Sequence, residues 1–516
     1  MAQTIELSIF SSRLAALCEE MGASLQRSAF SPNIKDRLDF SCAVFDASGD
    51  LCAQAAHIPV HLGSMAYAMA GLVAACDWRQ GDVLIVNDPY LGGTHLPDVT
   101  VVAPVFVNGE LLGFVANRAH HANIGATSPG SMPVARSLEE EGVVIPPTLL
   151  WRDGQRNQAV WEALCGGNPD IRVQGDFQAQ VSCCQLGVIR LTDLVQRTGI
   201  QTFKDFLGAL NEYGESLARG EWARIPNGVY RFTDYMEDDG LGTRDIPIQV
   251  ALTIEDGQIT ADFTGTAVQV PGNINCPLSV AAAAVYYCFR CLLPDYAPAC
   301  AGIFRPIRLQ APEGCLVNAR RPAAVAAGNV ETSSRIVDVV FGALAQALPE
   351  RIPAASQGTM NNIAMGSWAT AQHPAWDYYE TIGGGSGAAA AGVGLSARQT
   401  HMTNTLNTPV ESIESHFPLR ITRYQIRRGS GGQGAHRGGD GVVREFEFLA
   451  PTQVSLLTER RTRAPWGIGG AEAGAMGANL LNDQPLPAKV ERQLQAGDRL
   501  TIMTPGGGGW NPPGQS

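Results

Sequence analysis

Asn87-Asp88-Pro89-Tyr90-Leu91-Gly92-Gly93-Thr94-His95-Leu96-Pro97-Asp98 is the stretch on which the reading of this chain turns. An apolar run, Val83 to Val86, precedes it. Two more follow, Val99 to Val107 and Glu110 to Arg118, joined by Asn108-Gly109. Asn-Gly between apolar runs is the strongest short-range hairpin signal, because both turn residues must accept positive φ. The spacing therefore predicts two antiparallel strands that return the chain to its starting level. His95, Asp98, His120 and His121 then gather at one open end. Imidazoles with a carboxylate suit a borderline divalent cation such as Zn²⁺, or Mn²⁺ if more oxygen ligands join. A two-residue turn sets Asp98 opposite Ala119 and Pro97 opposite His120. Strand parity then favours His121 over His120 as the partner of Asp98, unless a bulge intervenes. As a bare pattern His-x-x-Asp is common, and the same side chains can simply cap loops.

Outward from the hairpin, the apolar stripe Ile5, Ile9, Leu14, Leu17, Met21 and Leu25 predicts a helix from Ile5 to about Ala29, ended by Pro32. Residues 38–46 and 51–55 read as a hairpin around Ala47-Ser48-Gly49, followed by a helix over 64–76. His57 and His61 precede that helix with Pro59 between them, so they read as extended or turned, lining the same pocket or orienting ligands from behind. Residues 126–170, rich in Pro and Gly, read as a long surface loop. Helical pattern returns over 176–217, strands over 230–235, 246–254 and 259–263, and helix over 278–293 and 331–348. From Phe417 onward short strands alternate with glycine turns. The class is mixed α+β and multi-lobed: an N-terminal metal-site lobe of hairpins and helices (1–225), a central α+β lobe (226–416) and a glycine-rich β lobe (417–516).

At 516 residues the chain has room for roughly three lobes at about 150 residues each. Its formal charge of −12 argues against a nucleic-acid binder, which needs a basic footprint. Charged residues are 17%, below the usual ~25%. That deficit, with glycine-rich segments 381–397 and 429–441 that need something to order them, points to a large partner interface. No apolar run is long enough to span a bilayer, and no secretory signal is readable. Twelve scattered cysteines fit reduced thiols in a cytoplasm, and the lone Cys288/Cys291 pair reads as core. No lysine follows a glycine, so there is no P-loop; GxSxG is also absent. Gly429-Ser430-Gly431-Gly432-Gln433-Gly434 fits GxGxxG without the strand–helix context and reads as a backbone turn. The polar run His401 to Thr408, with Asn404, lines a pocket or satisfies loop backbone.

Ser31 to Ser41, His57 to Met65, Asn87 to Asp98, His401 to Glu411 and Gly438-Gly439-Asp440-Gly441 together resemble the hydantoinase B / 5-oxoprolinase family, in order through nearly the whole chain. The resemblance implies a subunit working with a hydantoinase A-type chain that holds ATP and Mg²⁺ and phosphorylates a carbonyl oxygen. The B-type chain then completes the reaction at one divalent metal. It implies His95, Asp98 and, through Val115-Ala116-Asn117-Arg118-Ala119-His120, His120 as ligands, acting catalytically through a water that the metal makes more acidic. It thereby sets His120 above His121, with Asp36 as a fourth ligand where relatives usually carry Glu. His57, His61, Asp88, His121, Asn123, His401 and Asn404 are expected in the pocket or behind the ligands. Relatives commonly show Asp and Gly-Gly where this chain has Asn123 and Gly125-Ala126. The implied function is the hydrolytic subunit of an ATP-dependent cyclic amidase opening a hydantoin, 5-oxoproline or lactam ring, within an A2B2 assembly. The alternatives are an acetone/acetophenone-type carboxylase subunit and a metal-free scaffold.

Overall fold

The computed structural model describes residues 2–55, 57–165, 171–369, 374–512 and 514. Its first part is built on one antiparallel sheet. The strands are β1 (Phe40–Asp46), β2 (Leu51–Gln54), β3 (Val83–Val86), β4 (Asp98–Val107), β5 (Glu110–His120), β6 (Thr148–Arg152) and β7 (Gln155–Arg156). They lie in the order β2-β1-β5-β4-β3-β6-β7. Helices α1 (Ala2–Ser28) and Ile171–Thr198 pack against each other and cover one face. The short α2 (Pro32–Lys35) leads into β1, and on the other side α3 (Pro59–Ala74) packs on the helix Leu278–Arg290. Side chains alternate between two cores: Val99, Val101, Ala103 and Val105 of β4 enter the first, Val102 with Phe114 and Ala116 of β5 the second. Strands buried on both faces are continuously apolar, which is what made them legible.

The hairpin turn is as expected, with Val107 opposite Glu110 and Asn108 and Gly109 at φ 53° and 81°. Just beyond it the register shifts. Val105 pairs with Gly113 while Phe106 pairs with Leu111, so Leu112 is an extra residue in β5. From there Asp98 faces His120, not Ala119. The bulge reverses the parity that favoured His121. It is held from the far side: a Cβ on Gly113 would lie 2.4 Å from the Phe45 carbonyl oxygen of β1, so glycine lets β1 close over it.

Other expectations are corrected in place. The helix expected to start at Ser64 begins at Pro59, since proline is accommodated in a first helical turn, and His61 is therefore helical. Residues 126–165, the described part of the stretch expected as a surface loop, do not form one. They carry a 3₁₀ turn (Leu138–Glu141), β6, β7 and a helix (Gln158–Cys165), and they bury Met132, Leu138, Glu141, Ile145 and Leu150. Residues 166–170 lie outside the described part.

The centre is a four-stranded sheet of Gly228–Asp238, Arg244–Glu255, Gln258–Asp262 and Ile307–Gln310, packed by the helix Ser333–Ala347. A second four-stranded sheet joins Trp376–Glu380 and Asn362–Ser367 to Thr452–Leu457 and Lys489–Leu494, drawing strands from both sides of residue 416. A five-stranded sheet completes the C-terminal part. The glycine segments order one another: Gly439 N donates to Ser386 O (2.9 Å), Gly507 N to Gly439 O (2.9 Å) and Gly432 N to Gly507 O (2.9 Å). Backbones this close leave no room for Cβ atoms, so the GxGxxG run is packing, and no partner is needed to explain it. Among the described residues no helix is long and apolar enough to cross a membrane, and all twelve cysteines are free thiols. The fold is mixed α+β and multi-lobed.

Candidate metal centre

The bulge and the loop before β4 place His95, Asp98 and His120 in one buried chamber, where one ligand-type atom from each lies within 4.8 Å of the others. Asp98 is its hub. His95 Nε2 and His61 Nε2 each lie 3.2 Å from Asp98 Oδ2, and His120 Nδ1 lies 3.5 Å from Oδ1. Thr94 Oγ1 donates to Asp98 Oδ2 at 2.7 Å, and Asn329 Nδ2 donates to it at 3.3 Å. His61 is steadied from behind by Ser41 Oγ at 3.1 Å from its Nδ1. His120 stacks on Tyr379 with ring centroids 4.7 Å apart and planes within 3°, and the Arg37 guanidinium lies 4.7 Å from the centroid of the same Tyr379 ring.

Charge follows from burial. Desolvation alone would raise the Asp98 carboxyl. The imidazoles of His95 and His61, with His120 close by, outweigh it and hold the group well below the usual carboxylate range. Burial lowers His120, leaving a neutral imidazole, whereas for His95 the adjacent Asp98 overrides burial and raises it. An anionic carboxylate between imidazoles is a cation-attracting set. The hydrogen-bond accounting points the same way: His95 Nε2, Asp98 Oδ1 and His120 Nε2 are all buried without a hydrogen-bond partner. Unsatisfied buried polar atoms are rare, and these three belong to the three residues whose ligand-type atoms lie close enough together to share one ion. The residues fit a divalent cation.

Asp36 is placed elsewhere. It faces a larger cavity of about 1070 Å³ with Asn123 and His416, and burial raises its pKa. The carboxylate of that segment which lines the chamber is Asp39, buried and 3.6 Å from Arg37, with its carbonyl receiving His120 N at 3.0 Å. His121 points to the opposite side of the sheet, where its Nε2 meets Gln180 Oε1 at 2.9 Å and its ring packs on Phe177. Asp88 pairs with Arg321 and caps Tyr90 N. His57 packs edgewise on Phe40, with Glu19 3.9 Å away, and its carbonyl accepts from Asn404 Nδ2 at 2.8 Å. His401 sits among Tyr287 and Phe341, while its neighbours Met402 and Thr403 line the chamber. The sequence reading missed Asp39, Asn329 and Tyr379. Only Asp39 carried a local signal, as the residue before β1, whose first pair is Phe40 with Ala119.

A multi-lobed α+β fold thus buries two histidines and a carboxylate together beneath a bulged hairpin. The chain belongs to the Hydantoinase B/oxoprolinase family, whose profile matches residues 3–513. It is 38% identical to 5-oxoprolinase 1 of Arabidopsis thaliana over 99% of its own length, and spans 42% of that relative. It is 32% identical over 96% of its length to a Pseudomonas protein provisionally named as the B-type component of a D-/L-hydantoinase, and spans 87% of it. Among solved structures it resembles the ATP-dependent caprolactamase of Pseudomonas jessenii, with a TM-score of 0.88, 26% identity, and coverage of 99% of this chain and 91% of that one.

Proposed function

We propose that this chain is the ring-opening component of an ATP-dependent cyclic amidase, with His95, Asp98 and His120 as its metal ligands and Asp39 beside them. The observation that carries this reading is a buried cluster of His95, Asp98 and His120, each with a polar atom that has no hydrogen-bond partner. A divalent cation bound there supplies Lewis acidity, lowering the pKa of a coordinated water and polarising a carbonyl oxygen. The protein's own part is positional. Asp98 stays anionic, Tyr379 fixes the plane of His120, and Ser41 holds His61 against Asp98. Ile58, Val60, Met360 and Met402 wall the chamber against bulk water.

The chamber's free volume is about 20 Å³, room for about one water-sized group. That is the room a bound cation would take; a water and the substrate ring enter only if a wall moves. The run Met402 to Leu406 is one such wall, latched through Met402 O to Val60 N, Asn404 to His57 O and Leu406 N to Arg37 O.

Amide resonance makes a lactam carbonyl a poor electrophile, and phosphorylation of its oxygen supplies a leaving group. The missing P-loop supports assigning that step to an A-type partner holding ATP and Mg²⁺, and the plant 5-oxoprolinase extends well beyond the part this chain matches. An A2B2 assembly in a reducing cytoplasm is the arrangement proposed. The isolated chain is expected to hydrolyse neither ATP nor hydantoin, 5-oxoproline or caprolactam, while the co-expressed pair couples ATP cleavage to ring opening. Phosphate release and ring-opened product, assayed by chromatography, check both halves. Ring opening by the isolated chain without ATP would refute the division of labour.

A further inference from the structure

Glu141 lies in the segment the sequence presents as a surface loop, yet it is fully buried. Its Oε1 accepts two backbone N–H groups, Val325 N and Ala326 N, each at 2.8 Å. The Ala326 carbonyl in turn lies 3.3 Å from His95 Nδ1. That contact places the ring proton on Nδ1 and leaves Nε2, the orphaned atom, as the lone-pair nitrogen facing Asp98.

The stretch Pro322-Ala323-Ala324-Val325-Ala326-Ala327-Gly328 has no polar side chain with which to fix itself. Its carbonyls are largely accounted for one by one. Pro322 O accepts from Leu138 N, Ala323 O from Tyr90 Oη, Ala324 O from Asn275 Nδ2, Val325 O from Gly328 N, and Ala326 O faces His95. The N–H groups of Val325 and Ala326 have Glu141 as their acceptor. Buried backbone donors must be paired, so this one carboxyl oxygen, with the partners of the Ala324 and Val325 carbonyls, holds both peptides in place. The carbonyl that holds His95 belongs to Ala326.

Resting on the metal reading above, we propose that Glu141 is a positioning residue: through the Val325–Ala326 peptides it fixes the ring and tautomer of His95, and so sets the chain's affinity for its cation. Supporting partners of ligating histidines are commonly worth about 10–100-fold in metal affinity. What matters is an acceptor at the Oε1 position, not a charge. Glutamine keeps that acceptor. Aspartate keeps the charge but is one methylene too short, and alanine keeps neither.

The test is Zn²⁺ affinity of the full-length chain, measured by competition with a chromophoric chelator, alongside thermal melting of the metal-free protein. Glu141→Gln is expected to bind Zn²⁺ within about threefold of wild type, and Glu141→Asp and Glu141→Ala about 10–100-fold more weakly. With Co²⁺ as the probe, the two weak variants should also show an altered visible spectrum, which a loss of stability alone would not cause. If Glu141→Ala fails to fold, Glu141→Asp decides. Wild-type affinity in a folded Glu141→Asp, or a tenfold loss in a folded Glu141→Gln, overturns the proposal. A wild-type chain that binds no Zn²⁺ overturns the metal reading beneath it, and the two failures are thereby told apart.

Discussion

Replacing His95 with alanine is expected to remove the divalent cation from a chain that still folds, and to abolish ring opening by the assembled enzyme. The loss should exceed the roughly 10–100-fold that follows when only a supporting residue is removed. His95 stands at the heart of the chamber: its Nε2 is one of three orphaned atoms, and Asp98 beside it is held anionic. Without the imidazole, Asp98 and His120 remain as two ligands, short of the three protein ligands that catalytic sites of this kind employ. Elemental analysis of purified wild type and variant gives the metal count, and a thermal melt shows whether the fold persists. Retention of one equivalent of metal by a folded His95→Ala chain would contradict this assignment.

The second large effect lies in stability, at a buried ionic cluster that ties the central sheet to the C-terminal strands. Arg460 Nη2 lies 2.6 Å from both Asp234 Oδ2 and Asp338 Oδ2, and Arg335 Nη1 lies 3.3 and 3.2 Å from the same two oxygens. Glu459 bridges Arg335 and Lys489. Removing one member of such a set strands buried charge, at a cost of about 3–5 kcal/mol. Arg460→Met is therefore expected to lose about that much in denaturant unfolding, because two carboxylates would then share Arg335 alone. The pH dependence has a definite sign. Burial would raise Asp234, but Arg460 and Arg335 outweigh it and depress it to about 2, against about 3.9 in an unfolded chain. Its contribution is fully present above pH ~4 and is lost as pH falls towards 2. In the variant Asp234 is less depressed, so the stability lost between pH ~4 and pH ~2 should be smaller than in the wild type. Equal acid profiles for the two proteins would contradict the role given to Arg460.

Much of the candidate site was legible because it lies close in sequence to a strong turn signal. Asn108-Gly109 fixes a hairpin, and the hairpin carries His120 back to His95 and Asp98. What the pattern could not supply was the bulge at Leu112, since an extra residue in a strand leaves no mark on an unbroken apolar run. Parity therefore favoured His121, which the fold places on the opposite face against Gln180. The resemblance to the family chose His120 where periodicity could not. Asp39 was missed because its place depends on β1 pairing with β5, a contact between segments distant in sequence. Asn329 and Tyr379 reach the chamber from later segments and have no local signature. Glu141 was hidden by composition: Pro and Gly around it suggested an exposed loop, whereas the segment is packed and its one carboxyl organises a neighbouring stretch.

The central claim is that the chamber formed by His95, Asp98 and His120 holds the catalytic cation. Anomalous diffraction from crystals of this chain grown with Mn²⁺ or Zn²⁺, recorded on both sides of the metal edge, tests it most directly. One strong anomalous peak per chain is expected among the His95 imidazole, the Asp98 carboxylate and the His120 imidazole. A chamber without a peak, in crystals that show the cation bound elsewhere on the chain, would contradict it.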